Sequence, residues 1–295
     1  MAIAVETLLA ELSSELGELI PGVRVNDNTL SGQATNAVAS SSTVLIDVNN
    51  RFEYDENIVG ESYLRVKADS SIAGNANVVV RIATYNASTN TMTLTPGLNS
   101  INTNTQYQIF RRLPPSSYLQ AIIETLRQAY PAIYDPKSNT SLTISPNVYV
   151  YTVPGDIEDV TRVEIQTNTG IASYPYKEIP FETRRTGNDL QHIQIFDQFA
   201  SSYALRVSGA GYLTAPSSLV GTVDISGDEI EILKLGAKSS LYRKLAGLSS
   251  DGSEDQNNMF NMAERYYQLF MESKAKHKKP LPRMTVIRDP RYNWL

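Results

Sequence analysis

The chain contains no cysteine in 295 residues, which removes disulfides, thiolate metal sites and cysteine nucleophiles at once and leaves the redox compartment unmarked. It has two histidines, His192 and His277, neither with a second histidine at metal-ligand spacing, so a zinc site is not expected. No stretch approaches the roughly 18 apolar residues of a membrane span, and no basic region followed by an apolar core opens the sequence. The expectation is a protein neither embedded in a membrane nor secreted by that route. Gly-x-Gly occurs only as Gly209-Ala210-Gly211, without a third glycine or a following helix, so a phosphate-cradling loop is not expected. No serine has the glycine spacing of a nucleophile elbow, and His192 reads as a strand residue satisfied by a neighbour. There is no repeat of fixed period and no low-complexity segment.

What is present is a globular composition, 41% hydrophobic and 19% charged, in a chain long enough to suggest two domains with separate cores. Its net charge of −5 is unevenly placed. The last 23 residues carry seven basic side chains against Asp289, giving +6, so the other 272 residues hold −11. Among the acids, Asp224, Asp228, Glu229 and Glu231 could form a cation site or a glycosidase pair. Their place at a predicted helix start gives the simpler account, because carboxylates there complement free amides and the helix dipole. Asp47, Asp55 and Asp69 lie in or beside turns, where they cap backbone groups, and the oxygen-rich spacing of a calcium loop is absent. The seventeen tyrosines suit carbohydrate or nucleic-acid stacking, core positions, or large permanent interfaces.

Helical periodicity (Val5, Leu8, Leu9, Leu12, Leu16, Leu19, Ile20) predicts a helix over about 3–20, stopped by Pro21-Gly22, within an N-terminal helical segment 1–24. Residues 25–113 then read as a small all-β domain with runs at Thr43–Val48, Ser62–Ala68, Val78–Tyr85, Thr91–Thr95 and Gln106–Arg111; Asn86–Asn90 reads as a hairpin loop. A second helix is expected within 114–135, capped by Ser117 and Gln120, with Leu119, Ile122, Ile123, Leu126 and Tyr130 on one face and Pro131 at its end. The β-domain is thus bracketed by two amphipathic helices, which suggests an insertion into a helical platform. Residues 136–226 read as a second β-rich region, a small sandwich or half-barrel with strands near 148–153, 160–166, 192–196 and 203–208; Tyr149 and Tyr151 face one way, Val148, Val150 and Thr152 the other. Residues 227–277 hold the C-terminal helices. Glu229–Leu235 alternates well enough for a strand, but length and the acidic first turn favour helix, with Ile230, Leu233, Ala237, Leu241 and Leu245 inward. After a break at 249–256, Met259, Met262, Ala263, Tyr266, Tyr267 and Phe270 form the stripe of the last helix.

Residues 278–295 form the candidate site. Lys278-Lys279-Pro280-Leu281-Pro282-Arg283 cannot continue a helix. Basic and apolar side chains then interleave: Met284, Val286, Ile287, Arg288, Arg291, Tyr292, Trp294 and Leu295, with Trp294 the single tryptophan. A solvated tail is normally poor in such residues, so this is read as a docking arm. From Lys279 onward it spans up to about 55–60 Å when extended, enough to cross to a neighbouring subunit. The apolar residues and the acidic body favour a protein partner over duplex DNA.

The order of parts resembles the head-tail adaptor (neck or connector) proteins of tailed bacteriophages. The features that carry the likeness are an amphipathic helix, an inserted β-domain, a helix ending in Tyr130-Pro131, the Tyr149-Tyr151-Val153-Pro154 strand leading to Val160-Thr161-Arg162-Val163, a second β-region, and two late helices around Leu235-Gly236-Ala237. The resemblance implies a non-enzymatic α+β virion protein without cofactor, made in the host cytoplasm and placed in the neck. It implies a ring, commonly of twelve copies, between portal and tail or nozzle protein, with DNA passing through the channel and the C-terminal segment inserted into the portal. Two other readings stand beside it: a tail, baseplate or capsid-decorating protein that uses its β-modules as contacts, and a carbohydrate-binding or carbohydrate-active protein relying on tyrosines and on Asp228 with Glu231.

Overall fold

The structure, a computed structural model, describes residues 2–20, 22–24, 32–35, 37, 42–48, 50–52, 59–60, 62–67, 73–103, 105–166, 176–185, 191–225, 227–249 and 252–277. The protein is mixed α+β, with four helices of 11 residues or more and several antiparallel sheets among the described residues. It divides into two units, Met1–Thr125 with Ala215–Ser273, and Leu126–Thr214 with Lys274–Leu295.

The first unit opens with β1 (Ala2–Ala4) running into α1 (Val5–Glu15), which buries Val5, Leu8, Leu9 and Leu12. The expected helix to residue 20 stops early. Gly17 adopts φ +67°, its N–H donates to the Ser14 carbonyl, and the Glu18 N–H donates to the Ser13 carbonyl. These paired bonds satisfy the last free carbonyls of the helix and need a residue that tolerates a left-handed backbone. The chain beyond is therefore released into β2 (Leu19–Ile20), followed by β3 (Gly22–Arg24) and β4 (Gly32–Gln33).

The five β-prone runs expected between 43 and 111 all form strands: β5 (Ser42–Ile46), β7 (Tyr63–Val66), β8 (Val79–Asn86), β9 (Thr91–Leu98) and β10 (Gln106–Phe110). β6 (Asn50–Phe52) pairs separately with β3. The β8–β9 hairpin turns on Asn90 at φ +50°, and the Asn86 carboxamide accepts the Ser88 N–H. The sheet order is β2-β10-β7-β8-β9-β5, with β4 also on β10. Past β4, Ala34 N–H donates to the Thr105 carbonyl (2.9 Å) and Thr35 N–H to the Ile46 carbonyl (2.7 Å), so hydrogen bonds join the two ends of the sheet. It curls around one core that includes Leu45, Leu64, Ile82, Met92, Tyr107 and Ile109.

Several buried polar side chains of this sheet are paired, as burial requires. Asp47 accepts the Tyr107 hydroxyl (2.8 Å) and the Gln33 N–H (3.0 Å), which is the backbone-capping role expected of it. Asp55 and Asp69 lie outside the described residues. Arg65 is 0% exposed, donates to Asn77 (2.7 Å) and Gln108 (3.2 Å), and pairs with Glu6 of α1 at 3.3 Å. At the other end of the module, Glu18 is fully buried and accepts both the backbone N–H and the Nε–H of Arg112, each at 2.8 Å. Strands β2 and β10 pair beside that contact.

Helix α2 (Pro115–Ala129) follows. The expected Ser117–Gln120 capping box does not form, because the helix begins two residues earlier with Pro115 in its first turn, where a missing N–H is harmless. Its buried face is also rotated from the expected one, to Tyr118, Ala121, Ile122, Thr125, Leu126 and Ala129.

The second unit contains β11 (Asp135–Ile144), β12 (Val150–Thr152), β13 (Asp159–Gln166), β14 (Lys177–Glu178), β15 (Phe181–Arg185), β16 (Gln191–Ile195) and β17 (Tyr203–Gly211). They form two antiparallel sheets, β11-β17-β13-β14 and β12-β16-β15, which share a core including Ile144, Tyr151, Val163, Ile193, Leu205 and Val207. Tyr151 points inward and Val148 and Val150 outward, as the alternation predicted. β11 was not expected. Gly209 and Gly211 on β17 face the Asp159 and Asp156 carbonyls, which a Cβ would strike. Close backbone packing thus accounts for the Gly-x-Gly pair.

The chain returns to the first unit through β18 (Thr222–Asp224), which pairs with β1. It ends its described part with α3 (Asp228–Leu248) and α4 (Glu254–Lys276). The 229–235 stretch is helix. Asp228, Glu229 and Glu231 occupy its first turn, whereas Asp224 belongs to β18.

Candidate functional site

Within the first unit, α3 is the hub on which the other helices are assembled. Lys234 pairs with Glu11 of α1 at 2.6 Å, and Lys238 pairs with Glu15. Burial pulls the Lys234 pKa down, but its bonds to Glu11 and Glu231 outweigh that and hold the ammonium above its ordinary range. Toward α2, Ser240 donates to Glu124 (3.1 Å) and Lys244 donates to Gln120 (3.1 Å). Gly236 lets α3 approach closely: a Cβ there would overlap Thr125 Cγ2 and lie 3.1 Å from Phe270 Cδ2 of α4.

Toward α4 the contact is aromatic. Tyr242 and Tyr266 stack with centroids 5.5 Å apart and planes 6° apart, Lys238 lies over Tyr266 at 5.2 Å, and Arg243 over Tyr267 at 5.3 Å. Burial and the neighbouring Tyr266 raise the Tyr242 pKa, so the Tyr242 hydroxyl stays neutral across the physiological range.

Despite its 23 residues, α4 buries only Ala263 and Phe270. Phe260, Leu269 and Met271 are 49%, 38% and 42% exposed. Phe260, Glu264, Tyr267 and Met271 follow one another at spacings of four, three and four, so they form one stripe, while Leu269 lies on the other side of the buried line. Apolar side chains left in water on a long helix are a recognised mark of an interaction surface, and on this stripe they are Phe260 and Met271, with Tyr267 half-buried beneath Arg243. The sequence reading placed the main stripe but missed Phe260, Leu269 and Met271; the available signal was large apolar residues lying off the stripe.

In the second unit, Lys274 at the end of α4 donates to the carbonyls of Gln128 (2.5 Å) and Tyr130 (2.9 Å), capping the C-terminal end of α2. Its burial lowers its pKa. Tyr130 donates to Asp159 and packs on Tyr212 at 4.8 Å; burial and that bond hold its pKa above the ordinary phenol range, so it serves as a donor and not as a base. Tyr151 likewise directs its hydroxyl to the Val148 carbonyl (2.9 Å). Several tyrosines thus act as internal struts. His192 sits in β16 with Nδ1 3.5 Å from the Thr152 hydroxyl.

Every residue of the expected docking arm, Lys278, Lys279, Arg283, Ile287, Arg288, Arg291, Tyr292, Trp294 and Leu295, lies outside the described residues. Among the described residues no group of three or more histidines or carboxylates is arranged to hold a metal ion, and no helix is long and apolar enough to cross a membrane. Glu231 is engaged with Lys234 at 3.4 Å. No family model and no curated protein matches the chain.

Proposed function

We propose that this chain is a non-catalytic virion protein of a tailed bacteriophage, a head-tail adaptor whose copies form a ring, of twelve by the family's habit, in the neck between portal and tail. The observation that carries the reading is the platform built on α3, whose last helix leaves apolar side chains in water and runs directly into a basic, apolar-rich segment. Assembly through such a helix face explains why a 23-residue helix buries so little of itself. The first β-module is read as an insertion into the platform, supported by the Glu18–Arg112 contact and the β2–β10 pairing, which bring its two ends together. With −11 on the body, a ring lumen repels phosphate and lets DNA slide without sticking.

The arm, residues 278–295, is assigned to the portal. Deleting residues 280–295 is expected to leave a chain with unchanged circular dichroism that no longer assembles on portal; undiminished assembly rules out the arm as the anchor. A second structural reading, a tail, baseplate or capsid-decorating position, is favoured by Val148, Val150 and Phe196, exposed on β12, beside it and after β16. Negative-stain images of mixtures with portal or with tail protein separate the two.

A further inference from the structure

We propose that β15 is a self-complementary edge, on which a second copy of this chain pairs its own β15 antiparallel and continues the sheet from one molecule into the other. The inference goes beyond the adaptor reading and does not rest on it. Neighbours in a ring are related by rotation about the ring axis, whereas this contact is a dyad, so it is a separate interface. β15 ends the order β12-β16-β15, and no strand lies beyond it among the described residues. The opposite edge of the sheet fixes which way its backbone groups point. Ile195 N–H donates to the Tyr149 carbonyl (2.8 Å) and Val153 N–H to the Gln191 carbonyl (2.9 Å). Backbone groups alternate in direction along an antiparallel ladder, so residues 191, 193 and 195 turn theirs toward β12, while His192 and Gln194 turn theirs toward β15. The register sets Arg184 opposite His192 and Glu182 opposite Gln194. Phe181, Thr183 and Arg185 therefore direct their backbone N–H and carbonyl groups away from β16, and Thr183 and Arg185 are exposed.

An antiparallel copy centred on Thr183 uses all of these groups. Thr183 meets Thr183 of the second copy, and Phe181 meets its Arg185, as hydrogen-bonded pairs. The side chains agree with the backbone. Glu182 and Arg184 share the outer face, 58% and 62% exposed, with a 3.4 Å contact along their own strand. In the pairing, Glu182 lies directly opposite Arg184 of the second copy and Arg184 opposite its Glu182, at the non-hydrogen-bonded positions where facing side chains are closest. Sliding the second copy by two residues, the smallest slip that keeps the hydrogen-bonding groups aligned, sets Glu182 against Glu182 or Arg184 against Arg184. Exposed ion pairs add little strength, so their part here is to select one register and one partner. Charged edges ordinarily deter strand addition. On β15, opposite signs two residues apart on one face turn that deterrent into a match for a copy of the same strand.

The chain has no cysteine, so a thiol placed at Thr183 reports this contact alone. At the dyad the two Cα atoms lie about 5.5 Å apart, within disulfide reach. Full-length Thr183→Cys in oxidised glutathione is expected to form a covalent dimer, seen on a non-reducing gel. It should do so about tenfold faster than Thr89→Cys, whose thiol sits on the exposed β8–β9 turn and meets another only by collision. Adding Glu182→Arg to the Thr183→Cys chain sets arginine against arginine across the dyad, and adding Arg184→Glu sets carboxylate against carboxylate. Each is expected to bring the rate down to that of Thr89→Cys. Mixed with one another, these two chains restore opposite charges and should form a mixed dimer, identified by mass, at a rate approaching that of Thr183→Cys alone. Three outcomes overturn the proposal: Thr183→Cys no faster than Thr89→Cys, charge variants as fast as their parent, or a mixture no faster than its components while circular dichroism shows both folded. The readout needs neither ring nor portal. Failure here therefore leaves the adaptor reading standing, and a chain that forms no ring leaves the pairing standing.

Discussion

Gly236 and Gly247 lie on the same helix and have opposite reasons to be glycine. At Gly236 an added methyl meets Thr125 and Phe270, whereas at the exposed Gly247 it meets nothing within 4 Å. Gly236→Ala is expected to cost about 1–3 kcal/mol through overpacking. Gly247→Ala, in the last turn of α3, should add about 0.4–1 kcal/mol by reducing the freedom of the unfolded chain. Urea midpoints of the two variants test this, and shifts of the same sign would contradict the close α2–α3 crossing. Neither role was visible from composition, because the two residues differ only in what the fold places opposite them.

Among the elements, the junction between α1 and β10 depends on one buried ion pair. Arg112→Met leaves the fully buried Glu18 carboxylate without its guanidinium and is expected to cost about 3–5 kcal/mol, while Glu18→Met added to it should recover most of the loss. Chemical unfolding of both variants checks this, and a neutral single variant would remove the pair from the account. The elements legible in the sequence are those whose signals are local. Apolar spacing marks α3 and α4, β-prone runs between polar turn residues mark β8, β9 and β10, alternation marks β12, and Asn86 to Asn90 mark a turn. β11 was missed because ten largely polar residues, of which only Ile144 is fully buried, form a strand solely through pairing with β17, whose partner residues come 59 to 76 positions later. The short β1 escaped notice for the same reason, since its partner β18 is supplied from the far end of the unit.

For the whole molecule, the expectation is a closed homo-oligomer. On the adaptor reading, native mass spectrometry should find one dominant species at twelve times the chain mass, and Phe260→Ser with Met271→Ser should reduce it toward monomer. A native chain that is monomeric at every concentration would end the ring reading. The uneven charge belongs to this scale too. On the ring reading, the acidic body and the basic segment carried by every copy attract one another, and rising salt should weaken assembly accordingly.

The sequence by itself determined the α+β character, the four helices, the two stretches of strands and the basic, apolar-rich segment, because periodicity, prolines and charge act over a few residues. Tertiary structure alone decided where α1 ends in favour of β2, which face α2 buries, that Arg65 and Glu18 survive burial as ion pairs, and that Phe260 and Met271 remain in water. Each of these depends on groups brought together from distant parts of the chain. The last of them leaves apolar side chains in water on the helix that precedes the basic segment.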